Sequence, residues 1–199
     1  SKLRIGIMIS GTGTNMTALL KDMANPNHPA EPVLVLSDCP EAKGLKVAKK
    51  MGVKSSCVDY KSLRNNREVF EETLISKLKQ ENVDLICLAG FKRILSEKFI
   101  SHYENKILNI HPSILPLFKG LNTHQRAINS GMALHGATVH MVSKDLDSGR
   151  ILGQTIIPIL RNDDASSLKL RLLPAEHKLY KLVLRRFISR QIDPILVSK

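Results

Sequence analysis

The chain has no tryptophan, and its five phenylalanines and three tyrosines bring aromatic residues to only 4%. A platform of stacked rings for single-stranded nucleic acid would therefore have few members. Cysteine is equally scarce. Cys39, Cys57 and Cys87 are odd in number, widely spaced and set in apolar sequence, which suits neither a disulfide framework nor a cysteine-based metal knuckle. They read as reduced, buried thiols, and no metal is expected. No apolar run approaches the roughly 18 residues that span a bilayer, and the start lacks the charged, apolar and small-residue sections of a signal peptide. A cytoplasmic chain without membrane contact is the expectation. Internal repeats, low-complexity tracts and domain linkers are also absent.

What is present is an ordinary globular composition. The 199 residues are 43% hydrophobic and 24% charged, enough for one domain, 1–199, with a packed core. The formal net charge is +12. Basic residues are scattered, with a mild excess at Lys169, Arg171, Lys178, Lys181, Arg185, Arg186 and Arg190 on an amphipathic helix. That spread reads first as a solvated helix face, second as a field attracting phosphate, and only third as a nucleic-acid surface.

The elements alternate. Leu3 to Ile9 is a β-branched apolar run, ended by Ser10-Gly11-Thr12-Gly13-Thr14 and followed by the helical spacing of Met16, Leu19, Leu20 and Met23. Strands at 33–36, 53–58 and 84–88 then alternate with helices at 41–51 and 67–80. A short helix near 96–103, capped by Ser96 and Glu97, leads to a strand at 106–110. This order predicts an α/β, Rossmann-like, mostly parallel sheet with helices on both faces. Runs at 138–142 and 151–159, separated by a short polar loop, predict an antiparallel pair in the C-terminal half. A last helix spans about 165–189, and Pro174 is expected to break or kink it.

Three segments carry chemistry. The loop from Ser10 to Asn15 follows a strand and opens a helix, so free N–H groups and the helix dipole converge on an anion, phosphate above all. Its bland reading is a tight glycine turn, since neither a dinucleotide fingerprint nor a Walker loop is complete. In Asn109-Ile110-His111-Pro112, strand alternation places Asn109 and His111 on one face at a strand's C-terminal end, where open α/β sheets bind ligands. Third, Lys144-Asp145-Leu146-Asp147-Ser148-Gly149 joins the antiparallel strands. It is either an acidic turn bonding its own backbone or the source of an Asp that reaches His111.

With these residues in hand, the chain resembles the folate-dependent phosphoribosylglycinamide formyltransferase family. The likeness runs from Leu3 to about Phe187. Its markers are Ile9 to Asn15, Leu88 to Leu95, Leu108 to Pro116, and His135-Gly136-Ala137-Thr138-Val139-His140. The resemblance implies that 1–110 is the phosphate- and nucleotide-binding half and 111–199 the folate-binding and catalytic half. It implies transfer of the formyl group of 10-formyltetrahydrofolate to the amine of glycinamide ribonucleotide, with Asn109, His111 and Asp147 catalytic. Gly13, Thr14 and Asn15 would hold the phosphate with Arg67 as basic partner, and Glu176 would grip the glycinamide end. Arg93, Ile94, Leu95, Val142, Lys144, Asp145 and Asp147, with Asn109, would receive the folate. A cis peptide before Pro116 and a monomer or homodimer are implied too.

Two residues depart from that pattern. Lys92 stands where the family has Met, and Lys144 is basic where an acidic or neutral residue is usual. Rival readings are a methionyl-tRNA formyltransferase, which would carry a further RNA-binding domain, and a formyltetrahydrofolate hydrolase, which would carry a regulatory one. A non-catalytic nucleotide-binding module would leave the paired Asn109 and His111 unexplained.

Overall fold

A computed structural model describes residues 1–198. The chain divides into two compact units, Ser1–Leu108 and a second from Asn109 onward. The division falls inside a strand, two residues before the expected boundary between halves.

The first unit follows the alternation closely: β1 (Leu3–Ile9), α1 (Thr14–Met23), β2 (Ala30–Ser37), α2 (Lys43–Lys50), β3 (Ser55–Cys57), α3 (Arg67–Gln80), β4 (Leu85–Leu88) and α4 (Glu97–His102), with β5 (Ile107–His111) beginning at its end. The strand order is β3-β2-β1-β4-β5, and β1 pairs in parallel with both β2 and β4. Ile5, Ile7, Met8 and Ile9 are all fully buried. That is why β1 reads as a continuous apolar run rather than as alternation: helices cover both faces of a parallel sheet. The order reverses between β1 and β4, the kind of switch point at which such sheets bind ligands. Here the Ser10 N–H donates to the Gly90 carbonyl at 3.1 Å, and the Lys92 N–H to Ser10 Oγ at 2.8 Å. The loops after β1 and β4 are thus stitched together.

Helix ends match their sequence signals where side chains cap. Asn66 Oδ1 accepts from the Val69 N–H and Ser96 Oγ from the Phe99 N–H, both at 3.2 Å. α1 is different. Its cap is Gly13 at φ 68°, no side-chain hydrogen bond caps it, and no acidic residue lies in its first turn. Glycine is required at this left-handed position, where a Cβ would also press on Met16 and the Gly44 backbone.

The second unit contains the end of β5, α5 (Thr123–Asn129), β6 (Leu134–Met141), β7 (Ile151–Pro158), α6 (Ala165–Ile188) and β8 (Ile195–Val197), in strand order β5-β6-β7-β8. β6 and β7 are antiparallel, as expected, and β7 and β8 parallel. Gly136 permits the close β6–β7 approach, since a Cβ there would lie 1.9 Å from the Thr155 carbonyl oxygen. The peptide before Pro116 is cis.

Three expectations need correction. α6 is one helix that continues through Pro174. Leu168, Leu172, Leu179, Val183 and Leu184 bury almost completely, at about 1.5–3 kcal/mol each, against about 3 kcal/mol for an interior proline. Leu170, whose carbonyl loses its helical donor, is 68% exposed. The sequence reading also had no place for α5 or β8. Finally, the three thiols are free, but only Cys87 is buried; Cys39 and Cys57 are half-exposed. No helix of the described residues is long and apolar enough to cross a membrane.

Candidate active site

The strand β5 ends on Asn109, Ile110 and His111, and the pleat decides their fates. Ile110 is 7% exposed, His111 6%, and Asn109 is half-buried. Asp147 arrives from the β6–β7 loop with its side chain only 7% exposed. Its φ of 48° is left-handed, a conformation that Asp tolerates better than most residues. One carboxylate oxygen accepts the Gly120 N–H at 2.9 Å and lies 3.5 Å from His111 Nδ1. His111 Nε2 lies 2.9 Å from the Phe118 carbonyl. Both ring nitrogens therefore face acceptors, and a ring bearing N–H on each serves both.

His140 completes the group. Its Nδ1 lies 3.1 Å from the Met141 carbonyl and so donates; Nε2 is then free to accept from the Asn109 amide at 3.3 Å. Burial pushes the His140 pKa down, opposed by its bond to Met141 and by Asp147. The neutral ring so favoured is the one that can accept from Asn109. One amide proton of Asn109 is thus fixed on His140, leaving the other to donate elsewhere. Sequence reasoning placed His140 in a marker motif without a role. Its aim depends on a register shift between Val139 and His140 in the β6–β7 ladder, a bulge that side-chain alternation does not reveal. The backbone groups of Phe118 and Gly120 escaped the reading too, because their loop has φ values of 53° and 85° set by tertiary structure.

The remaining residues of the C-terminal half are more dispersed. Val142 is half-exposed, and Lys144 and Asp145 are exposed, with Ser143 Oγ donating to the Asp145 carbonyl at 3.2 Å. Glu176 is buried in α6. A second histidine pair lies near, His135 buried and His124 half-exposed: His124 Nδ1 and His135 Nε2 are 3.0 Å apart, and burial with nearby His124 and His111 pushes the His135 pKa down to about 4. The unfolded chain takes up that proton near pH 6.5, so between about pH 6.5 and 4 it binds more protons than the folded chain. Stability from this site is full above that window and is lost as pH falls through it. Thermal unfolding should show a falling Tm from about pH 6.5 downward, with a shallower slope in His135→Gln; equal slopes in the two proteins would contradict this.

The first unit holds the other predicted residues. Gly13, Thr14 and Asn15 form the start of α1, Thr14 exposed and Asn15 buried. Arg93 donates to Asp38 at 2.8 Å and lies over the Tyr60 ring at 4.1 Å. Leu95 is buried, while Ile94 is 65% exposed. Arg67 does not join the Gly13–Asn15 loop in any hydrogen bond or ion pair among the described residues. It donates to the Ile94 carbonyl at 2.9 Å and faces Glu71 at 3.7 Å, so the structure groups it with the residues expected to receive folate. Arg67, Glu71, Arg93 and Ile94, with Tyr60, Phe70 and Lys92, line a cavity of about 320 Å³.

A Rossmann-like frame presents an amide, an imidazole and a carboxylate together, a set suited to acid–base and oxyanion chemistry, and comparison gives the class. Residues 3–184 match the formyl transferase family, to which this chain belongs. It is similar to the phosphoribosylglycinamide formyltransferase of Haemophilus influenzae, with 38% identity over 95% of this chain and 89% of that protein. The crystal structure of phosphoribosylglycinamide formyltransferase from Brucella melitensis superposes with a TM-score of 0.91 and 46% identity, covering 95% of this chain and 97% of that one. The human trifunctional purine biosynthetic protein adenosine-3 is 39% identical over 96% of this chain, which spans only 19% of its length.

Proposed function

We propose that the chain transfers the formyl group of 10-formyltetrahydrofolate to the amine of glycinamide ribonucleotide, a step of purine biosynthesis. The observation that carries this reading is the meeting of Asn109, His111 and Asp147, with His111 Nδ1 3.5 Å from the Asp147 carboxylate. The names of the relatives above support formyl transfer and the choice of acceptor.

In this reading the amine attacks the formyl carbon and negative charge builds on the formyl oxygen. Asn109 donates its second amide proton to that oxygen, and protonated His111 donates Nε2–H to it in exchange for the Phe118 carbonyl, interactions strongest in the transition state. The amine nitrogen must lose a proton and the departing folate nitrogen must gain one. Asp147 keeps the imidazolium paired and assists that transfer, with water carrying the proton. Gly13, Thr14 and Asn15 take the ribonucleotide phosphate on the uncapped start of α1, where N–H groups and dipole favour an anion. Glu176 binds the glycinamide end, and Arg93, Ile94, Leu95, Val142, Lys144 and Asp145 contribute to folate binding.

The decisive assay follows deformylation of a 10-formyl folate by absorbance with glycinamide ribonucleotide, water alone or methionyl-tRNA as acceptor. Release that requires glycinamide ribonucleotide is the expected result. Release in water alone would make the chain a hydrolase, and no release with any of the three acceptors would favour a binding module instead.

A further inference from the structure

The two backbone groups that meet the catalytic side chains come from one loop. The Phe118 carbonyl lies 2.9 Å from His111 Nε2, and the Gly120 N–H donates to Asp147 at 2.9 Å. Phe118 is left-handed at φ 53°, a conformation that a phenylalanine does not hold unaided. The hold comes from the facing strands β6 and β7. Thr138 and Gln154 are a directly opposed pair, so their side chains leave the sheet on one face. Thr138 Oγ1 donates to the Ser113 carbonyl at 2.8 Å and accepts the Leu115 N–H at 3.1 Å. Gln154 Nε2 donates to the Leu115 carbonyl at 2.9 Å and to Thr138 Oγ1 at 3.0 Å. The hydroxyl has one proton and two lone pairs, the amide nitrogen two protons, and all of them are used. Ser113 Oγ then donates to the Leu117 carbonyl at 2.6 Å, next to Phe118. Ser113 and Thr138 are fully buried and Leu115 nearly so, which makes each of these bonds costly to lose.

Only a side chain with two donors answers this arrangement. The single Thr138 proton goes to Ser113, so Thr138 Oγ1 and the Leu115 carbonyl both face Gln154 as acceptors. A carboxylate there would set acceptors against acceptors, and an apolar chain would leave both unserved. We propose that Gln154 is a positioning residue for formyl transfer: its amide pins the Ser113–Leu117 turn to β6 and β7, and so sets the Phe118 carbonyl and Gly120 N–H that orient His111 and Asp147. Its own bonds are to Leu115 and Thr138, so it acts through the loop. The effect on turnover rests on the formyl-transfer reading above; the effect on the two contacts does not. Misplacing reacting groups by about 1 Å can cost about 10²-fold in rate, so a slackened loop is expected to show in kcat.

The test compares the whole chain with Gln154→Met, Gln154→Glu and Ile157→Val, the last a buried residue on the opposite face of the same strand. Each protein is measured for kcat, both KM values and Tm, and by heteronuclear NMR without ligand for the His111 Nε2–H and Gly120 N–H signals. Gln154→Met keeps an unbranched chain of similar length and loses both donors. Its two signals should move upfield and exchange faster with solvent, and kcat should fall about ten- to a hundredfold with KM within a few-fold of the parent. Gln154→Glu should lose more than Gln154→Met. Ile157→Val removes one core methylene, so it should lower Tm and leave both signals and kcat as in the parent. Unmoved His111 and Gly120 signals in Gln154→Met overturn the proposal, as does an equal kcat loss in Ile157→Val or a Gln154→Glu that matches the parent. A parent without formyl transfer overturns the formyl-transfer reading, while the NMR comparison still decides whether Gln154 sets the two contacts.

Discussion

Replacing Asp147 by asparagine is expected to lower kcat by about 10²- to 10⁴-fold while leaving both KM values within a few-fold of the parent, the effect of losing a positioned acid–base partner. The carboxylate accepts the Gly120 N–H at 2.9 Å and faces His111 Nδ1 at 3.5 Å. An amide can keep one of those contacts but brings no charge to the imidazolium. Asparagine is the informative choice because the site is left-handed, at φ 48°, and Asn adopts that conformation as readily as Asp. Alanine would add backbone strain to the loss of charge and confuse the two. Steady-state kinetics with both substrates varied, beside thermal unfolding of the same preparation, separates chemistry from folding. Turnover equal to the parent would remove Asp147 from the mechanism, and a KM rise with unchanged kcat would make it a binding residue only.

How much of this was legible beforehand differs between fold and site. The first unit was readable because its parallel strands are buried on both faces and its helices carry local signals: α3 lies where periodicity placed it, and Ser96 caps α4. The elements missed have weak local signals. α5 is seven residues long with a left-handed cap at Asn122 and no side-chain capping bond, and β8 has three residues that make a strand only by pairing with β7. Pro174 misled for the opposite reason, a strong local signal overruled by packing. At the site, the pleat of β5 was enough to put Asn109 and His111 together. His140 was hidden by a bulge, and the partners of His111 and Asp147 at Phe118 and Gly120 are backbone groups, which a sequence does not distinguish from any other peptide. Arg67 was placed by resemblance alone, and its partners Ile94 and Glu71 carry no signal that local sequence could have read.

Asn109 carries the second large effect. Its amide donates one proton toward His140 Nε2 at 3.3 Å, and its remaining proton is the donor available for a developing oxyanion. Asn109→Ala removes that donor and should lower kcat by about 10²- to 10³-fold with little change in KM, because the charge exists mainly in the transition state. Asn109→Asp should be worse than Asn109→Ala: it sets an anion where negative charge must grow and replaces the proton offered to His140 with another acceptor. The order of the two variants is the discriminating result. A purely structural Asn109 would make alanine the more damaging change, since aspartate fills the same volume, and the loss would appear in Tm before it appeared in kcat. Combining Asn109→Ala with Asp147→Asn should cost less than the product of the single losses, because both act on one transition state through one constellation. Strict multiplicativity would instead mean that the amide and the carboxylate serve separate steps.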